Sequence, residues 1–159
     1  MELRGIMVED FVNYKFPSMF LITSKCDWKC CIEFGIPTES CQNSSLINIK
    51  PKVYKDDDLI NLYINNEITK AIVFGGLEPF LQFDELLEFI KKFRLISSDT
   101  IIIYTGYDMD ELPDEIEELK KYKNIIVKFG RFIPNQESHY DEILGINLCS
   151  FNQFAVKIS

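Results

Sequence analysis

No run of this sequence approaches the roughly 18 consecutive apolar residues that a membrane span requires. The first residues, Met1-Glu2-Leu3-Arg4-Gly5, lack the basic start, apolar run and small-residue cleavage site of a secretory signal. From these two absences we expect a cytoplasmic protein. Positive charge is also scarce: 17 Lys and Arg stand against 25 Asp and Glu, a formal net charge of −8. Non-specific nucleic-acid binding needs basic patches that displace counterions, so that class of function is not expected. The only histidine, His139, lies in the polar run Gln136-Glu137-Ser138-His139-Tyr140 and reads as exposed. Internal repeats, low-complexity tracts and linkers are missing too. With 159 residues, 47% hydrophobic and 26% charged, a single domain over 1–159 around one core is the default.

What the sequence does have is cysteine concentrated in one place. Of five cysteines, Cys26, Cys30, Cys31 and Cys41 fall within sixteen residues, while Cys149 stands alone and reads as a small core residue. In a reducing compartment such clustering is better explained by metal or reactivity than by disulfides.

Short β-branched runs alternate with helical patterns. Strands are expected at Ser18–Thr23, Lys70–Phe74, Thr100–Tyr104 and Asn124–Phe129, with a last one at Gln153–Ile158. Helices are expected at Asp56–Asn65, opened by acidic residues, at Phe83–Phe93, and at Pro113–Tyr122, with proline in the first turn. The Phe83 helix places Phe83, Leu86, Leu87, Ile90 and Phe93 on one face. This βαβα order implies an α/β fold with a mostly parallel sheet. The cysteine loop, Gly75-Gly76, Thr105-Gly106-Tyr107 and Gly130-Arg131 each follow a strand. The C-terminal ends of parallel strands converge on one edge, so these segments are expected around a single mouth.

Iron–sulfur clusters are held by thiolates spaced closely enough for one loop to wrap them. The gap between Cys26 and Cys30 suits such wrapping, and Cys41 as third ligand would leave one iron of a four-iron cluster open to a substrate. Cys31 reads as a spare thiol. Three other readings compete: a closed zinc site using all four clustered cysteines, a closed cluster serving electron transfer alone, and unligated buried cysteines. Adjacent Cys30 and Cys31 make a tidy zinc tetrahedron awkward.

The cysteine loop, Gly75-Gly76-Leu77-Glu78-Pro79, Tyr104-Thr105-Gly106-Tyr107 and Gly130-Arg131-Phe132-Ile133-Pro134 occur in this order. Together they resemble the radical S-adenosylmethionine activating proteins of anaerobic ribonucleotide reductase, the small glycyl-radical activases. The likeness runs from about residue 10 to the end. It departs at Glu33, where the family spacing C-x3-C-x2-C has its third cysteine. Cys41-Gln42-Asn43 looks like the polar sequence that follows that cysteine, in an expanded loop. The family's aromatic before the last cysteine is replaced by Ser40, leaving Trp28 or Phe34 as substitutes. Leu77 is inserted in the glycine motif, and Phe129 stands where an aspartate is usual.

The resemblance implies an incomplete β/α barrel and a [4Fe–4S] cluster on Cys26, Cys30 and Cys41, with S-adenosylmethionine on the open iron. It implies a glycyl-radical partner, namely anaerobic ribonucleotide reductase, and a flavodoxin- or ferredoxin-type electron donor. Gly75 and Gly76 would admit the methionine end closely. Glu78 either orients that edge or merely leads the next helix. Thr105, Gly106 and Tyr107 would flank the adenosyl part. Asn43, Lys128 and Arg131 either contact polar groups of the ligand or are solvated surface residues.

Overall fold

The computed structural model describes residues 1–159. Nine strands and four α-helices follow one another as β1 (Glu2–Asp10), β2 (Ser18–Thr23), α1 (Lys29–Glu33), β3 (Lys52–Val53), α2 (Asp56–Ile64), β4 (Ala71–Gly75), α3 (Phe83–Arg94), β5 (Thr100–Tyr104), α4 (Pro113–Leu119), β6 (Ile125–Phe129), β7 (His139–Asp141), β8 (Ile146–Leu148) and β9 (Phe154–Lys157). Seven strands form one sheet in the order β3-β1-β2-β4-β5-β6-β9, and β7 and β8 form a separate hairpin.

The centre of the sheet, β2-β4-β5-β6, is parallel. Its edges are not: β1 runs antiparallel to β2, β3 to β1, and β9 to β6. The expectation of a mostly parallel sheet is therefore corrected at both margins. β1 escaped the sequence reading because its nine residues show no clean alternation and its register breaks between Leu3 and Gly5 and between Met7 and Asp10.

β4 and β6 are buried along their whole length, as strands covered on both faces must be. Alternate residues part to two faces. Ile72, Phe74, Ile101, Ile103, Ile125 and Val127 meet the helices, with Leu59, Ile60 and Tyr63 of α2, Phe89 and Ile90 of α3, and Leu119 of α4 in the same core. Ala71, Val73, Ile102 and Ile126 face the other way, against Tyr14 of the β1–β2 connection and Leu144 and Leu148 of the hairpin.

α3 carries Asp84 and Glu85 in its first turn and Lys91, Lys92 and Arg94 in its last, matching the helix dipole. Its buried stripe is Leu86, Phe89, Ile90 and Phe93. Phe89 replaces the expected Leu87, which is only half-buried, because the stripe drifts toward Phe74 and Phe93; the Phe89 ring meets Phe74 edge-on and stacks on Phe93. α4 ends at Leu119, short of the expected Tyr122. His139 is half-buried on β7 rather than exposed, since the hairpin lays it against the body of the molecule.

Candidate functional site

The parallel strands β2, β4, β5 and β6 release their C-terminal ends toward one cavity of about 450 Å³, within the usual range for ligand pockets. Cys26, Trp28, Cys30, Cys41 and Asn43 contribute from the cysteine segment; Gly76 and Glu78 follow β4; Thr105 and Gly106 follow β5. Phe20, Tyr104 and Lys128 rise from the strands on the face opposite the helices. Gly75, Tyr107 and Arg131 of the expected set do not line the cavity.

The cysteine segment owes its shape to Trp28, which caps α1 with φ 58°. A bulky residue in this left-handed region is strained, as backbone around binding sites often is. The turn lets the Trp28 N–H donate to the Cys26 sulfur at 3.4 Å and starts a short helix bearing Cys30 and Cys31. Cys30 faces the cavity, whereas Cys31, 1% exposed, is buried and does not. No three His, Cys, Asp or Glu side chains converge closely enough to grip a single metal ion. Three thiols spaced around a cavity suit a body with several separate metal corners.

Burial, together with neighbouring negative charge, pushes the Cys26 thiol up to about 11 and the Cys30 thiol up to about 12. Burial raises Cys41 as well. These thiols resist ionising until a cation compensates them, as coordinated iron does. The donor set therefore fits an iron–sulfur cluster held by Cys26, Cys30 and Cys41.

Glu78 ties the strand ends together. Its backbone N–H donates to Lys25 O at 2.7 Å, after β2. Its carboxylate accepts from Thr105 Oγ1 at 2.8 Å, Gly106 N at 2.9 Å and Phe80 N at 3.1 Å. Buried to 6% exposure, the Glu78 carboxyl is raised to about 7 by desolvation, opposed by those hydrogen bonds. Thr105 in turn accepts from Tyr107 N at 3.0 Å. Gly76 has φ +83°, and a Cβ there would lie 2.8 Å from Ile22, so only glycine fits. Gly75 serves packing: a Cβ would press on Tyr104 and Phe20.

Lys128 is a buried cation in the cavity, 6% exposed, with Nζ donating to Gly130 O at 3.0 Å. Burial lowers its ammonium to about 8. Arg131 is also buried, which corrects the surface reading of both residues. The Arg131 guanidinium reaches Glu33, Asp108 and Glu111. Tyr107 donates its hydroxyl to Asp27 Oδ2 at 2.6 Å, holding the cysteine segment from outside the cavity.

Cys149 is exposed and lines the cavity, contrary to the core role expected of it. Gln42 Nε2 donates to its sulfur at 3.7 Å, and Gln153 Oε1 accepts from its backbone N–H at 3.0 Å. No local motif announces Cys149, because the hairpin that delivers it lies far along the chain. Asn13, Asn147 and Gln153 on the same wall went unread for the same reason.

Residues 18–151 match the family described as a 4Fe-4S single cluster domain. The chain belongs to this family and is an iron–sulfur protein. No curated protein and no solved structure matches it.

Proposed function

We propose that the chain is a radical S-adenosylmethionine enzyme that generates a glycyl radical on a partner, anaerobic ribonucleotide reductase. The observation that carries this reading is the shared cavity. Three thiols, Cys26, Cys30 and Cys41, wall one part of it, and the strand-end residues Gly76, Glu78, Thr105 and Gly106 wall another. Cys26, Cys30 and Cys41 would hold a [4Fe–4S] cluster, and three thiolates would leave one iron free for S-adenosylmethionine. A bound cluster reduced by one electron would supply the electron for cleaving the sulfonium C–S bond to methionine and a 5′-deoxyadenosyl radical, which would take a hydrogen atom from glycine.

The chain's own residues position and shield this chemistry. Glu78 holds the loops after β4 and β5 in register, which would keep Thr105 and Gly106 beside the adenosyl part. Asn43 in the cavity wall would meet polar groups of the same ligand, and Gly76, with no Cβ, would let that edge approach closely. Lys128 contributes positive charge beneath a negatively charged cluster. In this reading the sheet is an incomplete β/α barrel with its helices outside, and the protein works in an anaerobic cytoplasm with a flavodoxin- or ferredoxin-type donor.

Anaerobic loading with iron and sulfide, then dithionite and S-adenosylmethionine, should release 5′-deoxyadenosine. A fully loaded protein that releases none ends the enzymatic reading. Cys41→Ala should lose the cluster while Cys31→Ala keeps its iron; the reverse would transfer the third ligand to Cys31. A second reading is favoured by the amides Asn13, Asn147 and Gln153 in the cavity wall: a radical enzyme that encloses a peptide or small molecule. Hydrogen transfer from deuterated glycine in the partner separates the two.

A further inference from the structure

Between Lys25 and Lys50 only Cys31 is buried, and neither apolar core contains a residue of this stretch. The exposed Ile32 and Phe34 do not anchor it either. Beyond the buried Cys31, what fastens α1 to the rest of the molecule is charge. Arg131, after β6, sends Nη2 to Glu33 Oε1 at 2.8 Å, with Nε against the other oxygen of the same carboxylate. Nη2 is shared with Glu111, which meets the adjacent edge of the guanidinium, with Nη1–Oε2 2.7 Å and Nη2–Oε1 2.8 Å. Nη1 also meets Asp108 Oδ2 at 3.0 Å. One guanidinium thus donates from Nη2 to both Glu33 and Glu111 and from Nη1 to Asp108, with Nε and Nη1 adding close charge contacts to the second oxygens of Glu33 and Glu111. Lys29 closes the ring from α1, pairing with Glu111 and lying 5.1 Å from the Tyr107 ring centre.

We propose that Arg131 is the positioning residue of the cluster-binding segment, a latch that holds α1, and Cys30 with it, against the loop after β5. Glu33 is the half of the latch carried by the segment. It occupies the place where the family spacing has a cysteine, and here it does not line the cavity. The ring is asymmetric in exposure: the Arg131 side chain is 6% exposed, while Glu33 is 41% exposed. Water-screened carboxylates thereby surround a desolvated cation. The Arg131 charge is held well above its ordinary range by Glu111, and Glu111 is correspondingly depressed to about 2. Opening the latch leaves α1 fastened chiefly by Asp27 to Tyr107 and by Lys29. Cys30 is then free to leave the cavity while Cys26, nearer the end of β2, stays. The latch controls how tightly the Cys30 corner is kept, and so how readily iron escapes.

This proposal rests on Cys26, Cys30 and Cys41 being the cluster ligands and is independent of what the cluster does. The test compares full-length chains loaded anaerobically with iron and sulfide, then challenged with a ferrous chelator. Arg131→Gln should speed iron release about tenfold relative to the unsubstituted chain, and Arg131→Lys, which keeps the charge but loses the planar head that reaches three carboxylates, should fall between. Glu33→Gln, at an exposed site with little bearing on folding, should also speed release. The double substitution should be no faster than Arg131→Gln alone, because both act through one contact. Additive effects, or release at the unsubstituted rate, overturn the latch. Hydrogen exchange on the metal-free chain supplies an arm that needs no iron. Arg131→Gln should quicken exchange over residues 26–36 and leave α3 unchanged. Equal quickening in both regions would mean a general loss of stability and would also overturn the latch. Failure to load any iron, with this exchange pattern intact, would count against the ligand assignment alone.

Discussion

From Asp56 to Arg94 the chain buries Leu59, Ile60 and Tyr63 on α2 and Leu86, Phe89, Ile90 and Phe93 on α3; from Lys25 to Lys50 it buries Cys31 alone. The first region is fastened by apolar area and packed rings, such as Phe74 edge-on to Phe89 with centres 5.3 Å apart. The second is fastened by directional contacts to neighbouring loops. Arg4 donates from its guanidinium to Ser24 O at 2.8 Å and to Ile47 O at 2.6 Å; Asp27 accepts from Tyr107; Glu33 meets Arg131. Hydrophobic burial is strong and non-directional, so it secures a sheet but does not aim a thiol. Hydrogen bonds and ion pairs are weaker at a surface but fix orientation. The comparison teaches that global stability and site geometry reside in different parts of this molecule, so substitutions should separate them.

The sharpest break comes in the helical face. Phe89→Ala should cost about 3–5 kcal/mol in urea unfolding, from lost transfer energy and the cavity left between Phe74 and Phe93. A cost below about 1 kcal/mol would mean that the core collapses around the gap. Next is Glu78→Ala, at the junction of the two regions. Thr105 Oγ1, Gly106 N and Phe80 N would lose their acceptor, for about 2 kcal/mol, together with looser loops after β4 and β5.

A pH titration of the metal-free chain probes the same residue. The folded Glu78 carboxyl is raised to about 7 from 4.5, so the fold favours its neutral form. Stability should therefore fall as pH rises from about 4.5 through about 7 and then level off, and Glu78→Gln should flatten that slope. Glu111 has the opposite sign. Its depressed value adds stability above about 4.5 that is lost as pH falls toward about 2. The smallest effect is expected from Tyr107→Phe, which removes only the bond to Asp27. Unfolding should change by less than about 1 kcal/mol, while hydrogen exchange over residues 26–33 quickens. A large loss of global stability would show that the segment belongs to the core unit after all.

Much of the scaffold was legible. The runs at Ser18–Thr23 and Thr100–Tyr104 form strands with the expected bounds, and the acidic start of α2 and Pro113 at the head of α4 mark real helix ends. The convergence of strand ends followed from the βαβ order, and Gly76, Glu78, Thr105 and Gly106 do meet in one cavity. The antiparallel margins were less visible, since β1 lacks alternation and β3 has two residues. α1 was unreadable because five residues hold too little periodicity to signal a helix. Gly75 answers to Phe20 and Tyr104 rather than to a ligand, which no spacing reveals.

Short-range information by itself determined the alternation of strands and helices, the clustering of Cys26, Cys30 and Cys41, and the glycine turns after β4 and β6. Backbone propensity and side-chain period act over a few neighbours, so a linear reading captures them. Only the tertiary structure decided that Glu33 meets Arg131 across 98 positions and that Gln42 meets Cys149 across 107. Those pairings depend on which strands lie side by side and on where the loops between them fall. Charged and polar side chains find partners in space, and the order of the sheet, set by burial of its apolar faces, determines which partners come within reach.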